Sequence, residues 1–316
     1  MDPEVRGRRL AWIDTARGIG IVLVVLGHTI SGVSAAGLLS GGGFVHALYS
    51  AIYAFHMPLF FVLAGRTFNV REGVIRRRAE VLLYPYVVWS LLQGGLTVLA
   101  PWAANDRLTP ATFAMRLLTD PIGQFWFLPV LFAMCVLGAV AKERLPWVAA
   151  GLFLVTFCDP IFAHIGYVAR STCRNLPFFA FGMTKWHPRS FWWVLGLIVV
   201  WVFRDWHVLP SWFLLPATCG ILATIVLSER LESAVLVQLG RWSLVIYLAH
   251  VLVAAAARFV LVRLGLRDGG LHVLFGTMAG IAGSALLAWL RDQGHAEWLF
   301  TPPWPARVRI MVRSDR

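Results

Sequence analysis

Residues 12–28 read WIDTARGIGIVLVVLGH, the heart of an otherwise apolar run from Ile13 to Ile30. Such a run is long enough to cross a membrane as a helix. Arg17 and His28 lie eleven residues apart within it. An α-helix turns about 100° and rises ~1.5 Å per residue, so the two side chains share one face at depths about 16 Å apart. Ionisable groups are costly inside a bilayer, and a cation and an imidazole on one stripe point to a functional site. Taken singly, Arg17 snorkelling to an interface and His28 bonding a neighbouring helix are equally good readings. In phase on one helix, the pair favours the site.

The rest of the chain extends this reading. Hydrophobic residues make up 59% of the 316 positions and charged residues only 14%, against roughly a quarter charged in soluble domains. Mean hydropathy is +0.71. No hydrophilic stretch is long enough for a separate soluble domain. The expected fold is therefore all-α: a polytopic helical bundle, residues 1–292, followed by a basic, Pro-rich cytoplasmic tail, residues 293–316. About ten transmembrane helices are expected, near 13–33, 47–68, 79–101, 123–141, 146–163, 175–184, 190–203, 209–228, 243–264 and 271–290. The sixth and seventh are short enough to be tilted, broken or partly re-entrant.

The net charge of +12 does not indicate nucleic acid, because the basic residues cluster at the ends of apolar runs and form no soluble basic face. With the N-terminus cytoplasmic, 18 Lys and Arg fall on inner segments and 7 on outer ones. This bias predicts that both termini are cytoplasmic. The first apolar segment is too long, and too poorly followed by small residues, for a cleaved signal peptide. Four cysteines show no C-x-x-C spacing, so no metal site is expected. Cys158 and Cys173 fall near neighbouring span ends, and either a disulfide or two lone buried thiols would fit.

Other polar residues stand out inside or beside the spans. Asp14 is three residues from Arg17 and suits an ion pair with it. Gly18, Gly20 and Gly27 leave backbone open to another helix or a slender ligand. The GIG there lacks the third glycine of a dinucleotide loop and sits in a membrane context. His56 precedes Pro58 in the second span, where a proline can shape a cavity. Arg66, and the loop with Arg71, Arg76, Arg77 and Arg78, either fix topology on lipid headgroups or dock a phosphate-bearing ligand. Trp126 is an interfacial anchor or a stacking surface for a sugar. Arg170 and Arg174 snorkel or recognise an acidic acceptor. Tyr247 and His250 read as a packed polar pair. Asp159 before Pro160 reads as a turn. Arg258, inside the ninth span, calls for a partner or a hydrated cavity.

Six fragments in order, WIDTARGIGIVLVVLGH (12–28), FHMPLFFVLAG (55–65), LLYPYVVW (82–89), FWFLPVLF (125–132), NLPFFAFGM (175–183) and SLVIYLAH (243–250), resemble the membrane acyltransferase-3 family. Within it the likeness is to the fucose 4-O-acetylase-like sugar O-acetyltransferases. The Arg-x10-His spacing and HMPLFF are the most specific parts. The resemblance implies transfer of an acetyl group from cytoplasmic acetyl-CoA to a hydroxyl of an extracytoplasmic glycan or glycolipid, in a bacterial inner or plasma membrane, without a metal. It implies Arg17 and His28 as the catalytic pair. Arg66, Arg76, Arg77 and Arg78 become candidates for the CoA donor, and Asp14, His56, Trp126, Arg170 and Arg174 for the substrate. One departure stands out: many members carry Arg-x-x-Arg at the third span, where this chain has three consecutive arginines. No fused extracytoplasmic hydrolase-like domain accompanies the fragments, so the membrane domain is expected to act alone or with a separate partner.

The residues agree with that chemistry. A sugar hydroxyl is a poor nucleophile, and neutral imidazole suits the role of its base. Arg17, ~16 Å from His28, fits the phosphate or pantetheine end of the donor better than the reacting carbonyl. Two further classes remain open. A transporter of a sugar or acylated lipid would show repeat symmetry between its halves, and none is visible. A non-catalytic scaffold would tolerate loss of His28.

Overall fold

A computed structural model describes residues 3–39, 42–99, 109–156, 164–186, 214–231 and 233–303, with the side chains of 3–10 and 118 outside that description. The described residues are helical, with no strand among them. Eleven α-helices occur among them: α1 (Pro3–Ala35), α2 (Gly43–Thr67), α3 (Val74–Leu99), α4 (Pro110–Thr119), α5 (Phe127–Ala141), α6 (Leu145–Val155), α7 (Tyr167–Met183), α8 (Leu214–Arg230), α9 (Ala234–Arg241), α10 (Ser243–Arg263) and α11 (Gly269–Asp292). Among the described residues, six apolar helical runs are long enough to cross a membrane: Ala11–Ala35, Gly43–Thr67, Val74–Leu99, Gly123–Val155, Ser243–Arg263 and Gly269–Asp292.

The fourth run is not one straight element. Lys142 takes a φ of 50°, and a 3-10 turn, Lys142–Arg144, separates α5 from α6. The sequence KER supplies three charged residues at that break, and Pro146 opens the next helix, where its missing N–H costs nothing. The expected span 175–184 is the second half of α7, whose opening turns carry Arg170 and Arg174. The expected span 190–203 and the turn at Asp159 lie outside the described residues. So does Cys158; Cys173, Cys135 and Cys219 are free, buried thiols.

Glycines let two helix pairs approach backbone to backbone. A Cβ on Gly18 of α1 would collide with the carbonyl oxygen of Leu236, and one on Gly240 with that of Asp14. The short helix α9 is thereby seated along the first half of α1. A Cβ on Gly65 of α2 would collide with Phe179 O, and one on Gly182 of α7 with Val62 O. Small residues at such crossings are how apolar helices associate where lipid competes equally for Leu and Phe. Gly20 and Gly27 are likewise filled by packing, against Phe60 and against Tyr53 with Ile52.

Helices α2, α8, α9, α10 and α11 pack around α1, while α5, α6 and α7 build a second group joined through α2. The core between them is rich in large side chains, with Phe61, Phe125, Phe179 and Met134 fully buried. After α11 the chain returns to α3. Tyr84 donates to Trp298 O at 2.6 Å, Trp89 Nε1 donates to Leu299 O at 3.0 Å, and Phe300 is buried against the Trp89 ring. The described part of the tail is thus docked on a helix of the bundle; residues 304–316 lie outside the description.

Candidate active site

Helix α1 is continuous from Pro3 to Ala35, so the eleven-residue spacing of Arg17 and His28 is read out along one helix. Both side chains turn toward α2. Arg17 Nη2 donates to Thr67 Oγ1 at 3.4 Å, and His28 Nδ1 lies 3.5 Å from the Tyr53 hydroxyl. The two bonds are long, near the limit of the interaction. Thr67 ends α2 and Tyr53 lies near its middle, so α2 runs beside both members of the pair.

At the Arg17 end, Asp14 is shared between two cations. Arg17 Nη1 approaches Asp14 Oδ1 at 3.4 Å and Arg241 Nε approaches Oδ2 at 3.5 Å. Arg241 is delivered there by the Gly240 contact with the Asp14 backbone. Asp14 therefore belongs with Arg17, about 21 Å along the helix from His28. Arg66 donates to Trp186 O at 2.9 Å and its guanidinium lies 5.5 Å from the Trp12 ring centre. The three consecutive arginines diverge. Arg76 is exposed and pairs with Glu80 at 3.1 Å, one turn along. Arg77 donates to Glu72 O at 3.1 Å. Arg78 turns inward, over the Phe68 ring at 5.7 Å, close enough to repel Arg17. The three diverge because consecutive helical residues stand 100° apart and cannot share a face.

At the His28 end, aromatic and imidazole rings form an unbroken series. His28 lies 5.2 Å from His250 and 6.0 Å from Tyr53, ring centre to ring centre. Tyr53 stacks on Tyr49 at 4.1 Å and meets His56 edge-on at 4.8 Å. On the other side, Tyr247 lies 6.4 Å from His250 and 5.6 Å from Phe127, which neighbours Trp126. Trp126 is half-buried among Phe61, Phe127 and Tyr167, inside the bundle. His56 is buried, with Nδ1 2.7 Å from Ile52 O on its own helix. A carbonyl only accepts, so that nitrogen carries the proton. Arg258 donates to Gly32 O, one turn beyond His28 on α1. Arg170 and Arg174 lie on the first turns of α7, which Tyr167 brings next to Trp126; Arg170 is half-buried and Arg174 exposed.

Four members of this region were not singled out by sequence: Tyr49, Tyr53, Gln93 and Gln124. Tyr49, Tyr53 and His56 follow the i, i+4, i+7 pattern of one helix face, a signal available in the sequence. The two glutamines gave none. They come together only through the packing of α3 against the turn before α5, where their amides donate to each other at 3.0 and 3.4 Å. Tyr247 donates to the backbone carbonyl of that same Gln124. Among the described residues, no three His, Cys, Asp or Glu side chains form a group able to hold a metal ion.

Comparison with known proteins accounts for most of the chain. The family model described as "Acyltransferase domain", of the acyltransferase-3 type, matches residues 10–289. Nodulation protein NolL of Mesorhizobium japonicum is 29% identical over 207 residues, covering 60% of this chain and 51% of that protein. Nodulation protein NolL of Sinorhizobium fredii is 29% identical over 182 residues, covering 54% of this chain and 46% of that protein. The chain thus spans about half the length of these curated relatives. No solved structure matches it. The matched region contains the Arg17 and His28 ends together with five of the long apolar helices and most of the sixth, and the chain belongs to the acyltransferase-3 family of multi-pass membrane acyltransferases.

Proposed function

We propose that the chain is an O-acetyltransferase that moves an acetyl group from acetyl-CoA on the cytoplasmic side to a hydroxyl of an extracytoplasmic glycan or glycolipid. The observation that carries this reading is the common orientation of Arg17 and His28 toward α2, about 16 Å apart along α1. The ten-span arrangement, with both termini cytoplasmic and a basic tail on that side, is part of the same proposal, as is a bacterial inner or plasma membrane location. The Lys and Arg bias and the shorter helices α6, α7 and α8 support it.

In this mechanism Arg17 and Arg78 attract the phosphates of CoA, with Arg66 at the same mouth. Guanidinium groups suit phosphate because their forked donors match its oxygens. The pantetheine arm spans the ~16 Å to His28 and delivers the thioester there. His28 takes the proton of the acceptor hydroxyl as its oxygen attacks the acyl carbon. Collapse breaks the carbon–sulfur bond, and the proton moves to the departing thiolate. Tyr53, accepting from Nδ1–H, holds His28 in the tautomer whose Nε2 is the base. Trp126, His56, Arg170 and Arg174 are the remaining candidates for the acceptor side.

The test is mass spectrometry of envelope glycans and glycolipids from cells with the wild-type chain, without it, and with His28→Ala. The expected result is one species carrying an added acetyl, about 42 daltons, in the wild type alone. Equal acetylation with His28→Ala at equal membrane abundance overturns the assignment.

A further inference from the structure

His250 has a bonding pattern that packing alone leaves unexplained. Its side chain is fully buried. Nδ1 lies 2.9 Å from Ile246 O and 2.8 Å from Tyr247 O, both on the preceding turn of α10. Carbonyl oxygens only accept, so Nδ1 carries the proton and Nε2 the lone pair. The tautomer is therefore fixed by backbone, not by a titrating partner. Nε2, on the ring edge away from its own helix, has no hydrogen-bond partner among the described residues. A buried acceptor left without a donor is costly. The ring nearest to it that carries chemistry is that of His28, 5.2 Å away and tilted by 55°.

A ligand hydroxyl is the donor that would complete this pattern. Two neighbouring imidazoles, each with an acceptor nitrogen, match two neighbouring O–H groups, with each hydrogen bond spanning ~2.8 Å. The stacked rings of Tyr49 and Tyr53, both half-buried, continue from His28 along α2 and offer a flat apolar face of the kind that packs on a sugar ring.

We propose that Nε2 of His250 accepts a hydrogen bond from the acceptor hydroxyl adjacent to the one that His28 deprotonates, so that the site selects a vicinal diol. This inference rests on the transfer reading above. The attacked hydroxyl forms the ester bond and yields its proton to His28, the carbon–sulfur bond breaks, and the proton passes to the thiolate. The neighbouring hydroxyl keeps its proton and donates it to His250 throughout.

The experiment compares wild type, His28→Ala, His250→Phe and His250→Gln in cells, at matched membrane abundance, by mass spectrometry and NMR of the acetylated glycan. In the wild type, the ester is expected on a carbon whose neighbour bears a free hydroxyl. His250→Phe, which keeps volume but not the acceptor atom, is expected to lose acetylation about tenfold or more. His250→Gln, whose amide oxygen reaches to a similar place, is expected to recover much of it, which a purely structural role would not give. Wild-type acetylation with His250→Phe, or an ester at a hydroxyl lacking a free neighbour, overturns this inference alone. If His250→Phe fails to accumulate, the position of the wild-type ester still decides. Acetylation that does not depend on the chain or on His28 overturns the transfer reading and this inference with it.

Discussion

Arg17 reaches from α1 to the hydroxyl of the last residue of α2, Thr67, at 3.4 Å, while its other terminal nitrogen holds Asp14 at 3.4 Å. These distances are longer than the 2.7–2.9 Å of a tight charged pair, so donors remain to engage a phosphate. Arg17→Ala should raise the KM for acetyl-CoA by about 10- to 100-fold, the value of one charged hydrogen bond. Arg17→Lys should restore part of the loss, since it keeps charge but not the fork. Steady-state kinetics with purified protein in detergent check this; an unchanged KM removes Arg17 from the donor site.

The three consecutive arginines should not behave alike. Arg78 turns in toward Arg17 and Phe68, whereas Arg76 faces outward and pairs with Glu80. Arg78→Ala should weaken acetyl-CoA binding about tenfold. Arg76→Ala should stay within about twofold, because an exposed i, i+4 pair contributes little. Equilibrium binding of labelled acetyl-CoA separates the two, and equal losses would mean a diffuse basic patch.

Tyr53 and His28 should differ in degree. Removing the base, His28→Ala, should lower kcat about 10²- to 10⁴-fold. Tyr53→Phe keeps the stacked ring on Tyr49 and loses only a hydroxyl 3.5 Å from the imidazole, a bond expected to tighten when substrate fills the site. Its kcat should fall about three- to tenfold, the value of one neutral hydrogen bond. A rate identical to wild type would show that another group orients His28.

Gly240 and Gly18 make a structural prediction. A side chain at either meets backbone, which cannot move aside as a flexible tip can. Gly240→Leu should push α9 off α1 and pull Arg241 from Asp14, with destabilisation of about 1–3 kcal/mol or more. Thermal unfolding in detergent should show a lower midpoint than Gly95→Leu, where a Cβ meets nothing within 4 Å.

The fold was legible where physics is local. The run 12–28 declared its helix and the placing of Arg17 and His28 along one side of it, because period and hydropathy suffice for that. The glycines of α1 were legible as close approaches but not as to partner: Leu236 and Asp14–Gly240 meet only through the fold. Among Arg76, Arg77 and Arg78, sequence could not tell which turns inward; that depends on how α3 leaves the loop beside Phe68. His250 looked like ordinary packing, since its interest lies in an unsatisfied nitrogen that only coordinates reveal. The Gln93–Gln124 pair was invisible for the same reason: two residues 31 apart, with no pattern joining them, meet in the core.

The return of Trp298, Leu299 and Phe300 to α3 bears on how the bundle is made. Tyr84 and Trp89 leave the ribosome more than two hundred residues before the carbonyls they hold, at separations of 214 and 210. Until those late residues are synthesised, a tyrosine hydroxyl and an indole N–H of an inserted helix have no protein acceptor there. This anchor of the third helix therefore forms only once residues 298–300 have been made, and nascent chains stalled before Glu297 should expose its first half to proteases more than longer ones do.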